Sequence, residues 1–138
     1  MINRKRVLVI DDEDMIREII KTVLTEAGYQ VVGAANGAEG LKLLESQPVD
    51  LIITDILMPE KEGIETIIET RKSHPNIKIV AISGGGRAHN FHPLKIASKI
   101  GVDMTLPKPF EPDELLAVVK KIFDDIDDRV LPANSVSQ

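Results

Sequence analysis

Cysteine is absent from the 138 residues, so neither a disulfide framework nor thiolate metal ligation is possible, and a reducing cytoplasm suits the chain. An excess of positive charge is missing too. The formal net charge is -5 with both signs mixed along the chain, which favours solubility and offers no basic footprint for a nucleic-acid backbone, so direct binding of nucleic acid is not expected. There is no long uncharged apolar stretch to form a membrane span. The basic start, Met1 to Arg6, runs into an apolar segment that Asp11 breaks too early for a secretory leader. The length suits one compact domain with a sizeable core.

What is present is an alternation of short apolar runs with segments of helical period, the signature of repeated β-α units around a parallel sheet. Five units are expected. The first strand covers about Arg6 to Ile10, and the helix after it, about Asp14 to Ala27, puts Ile16, Ile19, Ile20, Val23 and Leu24 on one face, with Gly28 as C-cap. Tyr29 to Ala35 is a more mixed second strand. Asn36 then caps a helix to about Gln47 with Leu41 and Leu44 inward, and Pro48 closes the unit. Leu51 to Thr54 is the third strand. A loop through Met58-Pro59 and Gly63 follows, then a helix carrying Ile64, Ile67 and Ile68 that His74-Pro75-Asn76 terminates. Ile77 to Ile82 is the fourth strand, with Ser83 at its carboxyl end before Gly84-Gly85-Gly86. The fifth, Val102 to Leu106, precedes Lys108-Pro109 and a last helix from about Pro112 to Phe123. Asp124, Asp125, Asp127 and Asp128 lead into polar residues, so a domain over residues 1–124 and a polar tail over 125–138 are expected. Right-handed crossovers and helices on both faces favour an α/β fold, a doubly wound, flavodoxin-like five-stranded parallel sheet of order 2-1-3-4-5.

In that order the first and third strands are neighbours. Asp11 and Asp12 follow Val7-Leu8-Val9-Ile10 and Asp55 follows Leu51-Ile52-Ile53-Thr54, so the three carboxylates meet in one crevice at the strands' carboxyl ends, where open parallel sheets bind ligands. Crowded carboxylates repel, and the usual remedies are a raised pKa or a bound hard cation such as Mg2+. Ser83 and Lys108 flank the same edge from the fourth and fifth strands and add a hydroxyl and a cation. Phosphoryl chemistry needs these parts. A carboxylate attacking phosphorus brings anion to anion, so positioning and charge neutralisation make up most of the catalysis.

Through the Asp11-Asp12 pair after strand one, Asp55-x-x-Met58-Pro59 with Gly63 beyond, Ser83 after strand four, and Lys108-Pro109-Phe110, the chain resembles the receiver domain of two-component response regulators over about Arg6 to Phe123. The resemblance implies that Asp55 is the phosphoacceptor, served by a histidine kinase or a histidine phosphotransfer protein. It implies Mg2+ held by Asp11, Asp12, Asp55 and the backbone carbonyl of Leu57, with Ser83 and Lys108 on the phosphoryl oxygens and a cis Lys108-Pro109 peptide. It further implies a regulator that switches binding to a downstream protein; a stand-alone single-domain regulator is the form expected, with a phosphorelay shuttle and the receiver of a longer protein as the open alternatives. The family's dimer surface would be the face of the fourth helix, fifth strand and fifth helix, and phosphorylation would shift that face as Ser83 is drawn inward. One departure stands out: the strand-five position that is often aromatic in the family is Thr105, so a rotating aromatic cannot report the switch. Coupling is expected instead through the loop Gly84-Gly85-Gly86-Arg87. Leu57 and Gly85 occupy the positions that tune water attack on the acyl phosphate in the family. Neither can orient or block water by a polar contact, which leaves the phosphoryl lifetime open.

Each residue also has a plainer explanation. Asp11-Asp12-Glu13-Asp14 could be an acidic helix start, which suits Asp14; for Asp11 and Asp12 by themselves the two explanations are even. Helix capping explains Asp55 poorly, because Pro59 and Gly63 delay the next helix. Ser83 by itself would be a turn hydroxyl and Lys108 a solvated lysine; their place in the set raises them. His74, His89 and His92 lack acids or cysteines at metal-ligand spacing, and Gly84 to Gly86 lacks the lysine and hydroxyl of a phosphate-cradling loop. Two other functions compete with the phosphoacceptor: a haloacid-dehalogenase-like phosphatase, disfavoured because there is no room for a cap domain, and a degenerate receiver that binds without phosphorylation, disfavoured because all five site positions carry competent residues.

Overall fold

The computed structural model describes residues 5–56, 62–83 and 101–136. Its elements are β1 (Arg6–Ile10), α1 (Asp14–Glu26), β2 (Gln30–Ala34), α2 (Gly37–Ser46), β3 (Leu51–Asp55), α3 (Glu62–Ser73), β4 (Lys78–Ser83), β5 (Met104–Pro107) and a final helix α4 (Pro112–Val136). All strand pairs are parallel, and the sheet has the order β2-β1-β3-β4-β5. The expected topology is the one found, with β1 at its expected limits and the limits of the other strands displaced by at most two residues.

Successive side chains in a strand point to opposite faces, and here both faces are apolar because both are covered. Val7 and Val9 of β1, Leu51 and Ile53 of β3, and Val80 and Ile82 of β4 share one core with Ile20 and Leu24 of α1 and Leu115, Val119, Ile122 and Phe123 of α4. Their strand neighbours Leu8, Ile10, Ile52, Ile79 and Ala81 form the second core with Leu44 of α2 and Ile67 of α3. The central strand β3 is buried along its whole length. That burial makes its carboxyl end a rigid mount for whatever follows.

Local signals account for the helix limits. Asn36 accepts the N–H of Glu39 at 2.8 Å while the Glu39 carboxylate accepts the N–H of Ala35 at 2.8 Å, a reciprocal capping pair that starts α2. Gly28 follows α1 at φ 103, a conformation other residues adopt only with strain. Gly63 matters for a different reason. A Cβ there would run into the carbonyl of Asp55 and the backbone of Ile56, so the start of α3 can lie against the end of β3 only without a side chain.

The last helix departs from expectation. It continues past Phe123 to Val136, through residues assigned above to a polar tail. Ile126 and Val130 carry the helical spacing on from Ile122, but the acidic run Asp124, Asp125, Asp127 and Asp128 and then Pro132 read locally as the end of the helix.

Candidate functional site

Strand register brings the acidic residues together. Ile10 of β1 is paired with Thr54 of β3, so the next residues, Asp11 and Asp55, leave the sheet side by side at its carboxyl edge. Asp11, Asp12 and Asp55 each place a carboxylate oxygen within 4.8 Å of the others. Asp11 is fully buried and Asp55 is 5% exposed, whereas Asp12 faces solvent. The cluster is thus rooted in the core and open on one side.

β5 delivers the lysine. Ser83, buried at the end of β4, pairs with Pro107, and its carbonyl accepts the N–H of Lys108 at 3.0 Å. The Lys108-Pro109 peptide is cis. The Lys108 ammonium reaches back into the crevice, 2.7 Å from Asp55 Oδ2, 3.1 Å from Asp11 Oδ2 and 3.2 Å from Glu13 Oε1. One cation therefore faces three carboxylates.

The two oxygens of Asp11 are treated differently. Oδ1 accepts the backbone N–H of Glu13 at 2.8 Å. Oδ2 is buried and, although near Lys108, makes no hydrogen bond. Burial pushes the Asp11 carboxyl above the usual carboxylate range; the Glu13 N–H and the Lys108 charge oppose that rise and the Asp55 charge adds to it. For Lys108, burial favours the neutral amine, but the hydrogen bond and charge of Asp55, with Asp11 behind them, outweigh it and raise the pKa above the ordinary lysine value. A buried carboxylate oxygen whose neighbouring cation, Lys108, is shared with Asp55 and Glu13, in a cluster of hard oxygen ligands partly exposed to water, fits a divalent cation such as Mg2+.

Thr105 lies half-buried on β5, paired with Ala81. Leu57, Met58, Pro59 and the loop Gly84-Gly85-Gly86-Arg87 lie outside the described residues, as do His89 and His92. Two contributors escape the sequence. Glu13 reads there as one more acid opening a helix, yet it is a partner of Lys108, 95 positions away. Arg17 donates to the main-chain carbonyl of Asp11 at 2.8 Å, a contact to backbone that no residue pattern records.

A doubly wound sheet of this order, with carboxylates and a lysine converging at the junction of β1 and β3, is the framework of a phosphoryl-accepting signalling domain. The chain belongs to the response regulator receiver domain family, whose model matches residues 7–120, and is a phosphoacceptor response regulator of two-component signalling. It is 36% identical over 119 residues to the chemotaxis protein CheY of Thermotoga maritima, covering 86% of this chain and 97% of that one. A CheY-like receiver domain protein from Methanospirillum hungatei superposes with a TM-score of 0.83 at 29% identity, over 92% of this chain and 99% of the other. The response regulator TrrA of Thermotoga maritima, solved in complex with Mg2+-BeF, is 39% identical with a TM-score of 0.74, over 86% of this chain and 98% of that one. Other relatives are longer: the chain spans about half the length of the transcriptional regulators it matches. Among the described residues no helix is long and apolar enough to cross a membrane.

Proposed function

We propose that Asp55 is the residue phosphorylated, taking its phosphoryl group from a phosphohistidine on a histidine kinase or a phosphotransfer protein. The P–N bond of the donor breaks as an Asp55 carboxylate oxygen forms the new P–O bond. The observation that carries this reading is the Asp55 carboxylate, 5% exposed at the mouth of the crevice, with the Lys108 ammonium 2.7 Å away. A carboxylate so placed has a counter-charge ready for the incoming phosphoryl oxygens.

Asp11, Asp12 and Asp55, with the backbone carbonyl of Leu57, are the proposed Mg2+ ligands; the convergence of the three carboxylates within 4.8 Å, the buried Asp11 Oδ2 that only the shared Lys108 ammonium approaches among the described residues, and the Mg2+-BeF complex of TrrA support this. Bound there, Mg2+ supplies charge neutralisation between nucleophile and phosphoryl group. Lys108 then takes a phosphoryl oxygen in place of the unphosphorylated carboxylate, and the Ser83 hydroxyl, at the end of the neighbouring strand, donates to another. Drawing Ser83 toward Asp55 pulls on the segment after β4, and with Thr105 in place of an aromatic that segment carries the change to the surface a downstream partner reads. The same face can support a homodimer. The chain's own chemistry is confined to Mg2+-dependent self-phosphorylation and autodephosphorylation, in the cytoplasm.

Intact-mass spectrometry after incubation with Mg2+ and acetyl phosphate tests this. One phosphoryl adduct is expected in the unsubstituted chain and none in Asp55→Asn or with EDTA. An adduct that survives in Asp55→Asn would reject Asp55 as acceptor. Donor hydrolysed without an adduct would favour the phosphatase instead.

A further inference from the structure

We infer that Arg17, which no part of the phosphoryl chemistry touches, is a positioning residue for the cation site, acting through the main chain of Asp11. The inference rests on the Mg2+ reading above.

Asp11 has four polar groups, and three are already committed. Its N–H donates to the carbonyl of Ala34 at 3.1 Å, its Oδ1 accepts from Glu13, and its own carbonyl accepts from Arg17 Nη1 at 2.8 Å. The fourth, Oδ2, is the buried oxygen without a hydrogen bond. Fixing the other three fixes where Oδ2 points. Of the three contacts, the first two are made by backbone and come with the fold; the Arg17 contact is made by a side chain and was free to be otherwise.

The held carbonyl belongs to the peptide that joins Asp11 to Asp12. Its orientation therefore also sets the direction in which the exposed Asp12 leaves the sheet, and with it the separation of two of the three carboxylates in the cluster. An oxygen cage for a small divalent cation tolerates little error in ligand placement. Partners that orient metal ligands are worth roughly 10–100-fold in affinity.

Arg17 is itself aimed. Its stem lies over Gly33 of β2, where an added Cβ would come within 3.2 Å of its Cδ, so the missing side chain at Gly33 makes the channel that the arginine follows back to the carboxyl end of β1. At the far end Nη2 pairs with the Asp14 carboxylate. That pairing matches the guanidinium charge close to its source, so the effect on the crevice is one of geometry more than of added positive charge.

The test compares the full chain with Arg17→Met, which keeps the stem and loses both donors, and Arg17→Lys, which keeps the charge but cannot serve the carbonyl and Asp14 in a fork. Mg2+ affinity is read by amide NMR titration of residues 11–13, beside urea unfolding in EDTA and the rate of adduct formation across Mg2+ concentrations. The expected result is affinity about tenfold weaker in Arg17→Met and weaker by a smaller factor in Arg17→Lys, with the adduct rate at saturating Mg2+ within about twofold of the unsubstituted chain. Lowered unfolding midpoint with unchanged Mg2+ affinity would overturn the inference and leave Arg17 as a brace between α1 and β2. A loss of rate that saturating Mg2+ does not restore would overturn it too. Absence of any Mg2+ response in the unsubstituted chain would instead reject the cation site, and this inference with it.

Discussion

At the amino edge of the sheet one carboxylate serves two cations, whereas at the carboxyl edge one cation serves three carboxylates. Asp103, just before β5, accepts from Arg71 at 2.7 Å and from the N–H of Ile79 at 2.8 Å, with Lys78 3.7 Å away. Arg71 spends its other donors on the carbonyls of Gly101, Pro75 and Ile77. It thereby ties the end of α3 to the start of both β4 and β5. Lys108, at the opposite edge, faces Asp11, Glu13 and Asp55, and a buried oxygen of Asp11 still lacks a hydrogen bond. The amino edge closes its charges within the chain, which is what stability asks. The carboxyl edge leaves negative charge over, which is what a site for an external cation asks.

Breaking each edge should give opposite signatures, and the largest effect is expected at the closed one. Arg71→Met leaves the carbonyls of Gly101, Pro75 and Ile77 without their donor and is expected to cost about 3 kcal/mol in urea unfolding, discounted for the partial exposure of the group. Mg2+ affinity should not move. Equal loss of stability and of Mg2+ affinity would mean that the two edges are coupled through β4 and β5.

Lys108→Met comes next, at about 2 kcal/mol in EDTA, because it strips the crevice of its counter-charge. The raised pKa of Lys108 fixes the sign. A lysine more basic when folded contributes stability that is fully present below its ordinary pKa and is lost only as pH rises through the higher folded value, so the cost should be flat across neutral pH. Saturating Mg2+ should shrink it, since the cation replaces the missing charge. A cost that Mg2+ leaves unchanged would show that Lys108 acts by packing.

How much of this was legible beforehand follows the same division. Val7 to Ile10 and Leu51 to Thr54 are unbroken apolar runs, so the strands, their order and the meeting of Asp11, Asp12 and Asp55 could be read from period and connection rules. Ser83 and Lys108 were legible as strand-end residues, each weak without the others. Glu13 and Arg17 were not, because one pairs across 95 positions and the other binds a carbonyl that every residue possesses. The Arg71–Asp103 tie was missed for a similar reason: its partners lie 32 positions apart, on elements whose limits the apolar pattern defines only to within a residue or two. The C-terminal part of α4 was hidden by its composition, because four aspartates between 124 and 128 and then Pro132 read as a solvated end although Ile126 and Val130 keep the helical spacing.

The smallest predicted effect is the most discriminating, because its sign reverses with conditions. Asp11→Asn removes a fully buried charge that repels Asp55 while keeping the shape of the side chain and an oxygen for the Glu13 N–H. The folded protein raises the pKa of Asp11, which means that it holds the neutral form better than the charged one. An aspartate with a raised folded pKa subtracts stability above that pKa and subtracts nothing below its ordinary value. In EDTA at neutral pH, Asp11→Asn should therefore be more stable than the unsubstituted chain, by about 1 kcal/mol. The gain should fade as pH falls through the raised pKa of Asp11, because the unsubstituted chain then neutralises itself. With Mg2+ present the order should invert: the unsubstituted chain gains binding energy as the cation concentration exceeds its dissociation constant, and the variant, short of one ligand, does not. Urea midpoints in EDTA and in Mg2+, at neutral and at acid pH, measure all of this. A variant less stable in EDTA at every pH would mean that the Lys108 contact to Asp11 outweighs the burial of its charge, and that the carboxyl edge is as closed as the amino one.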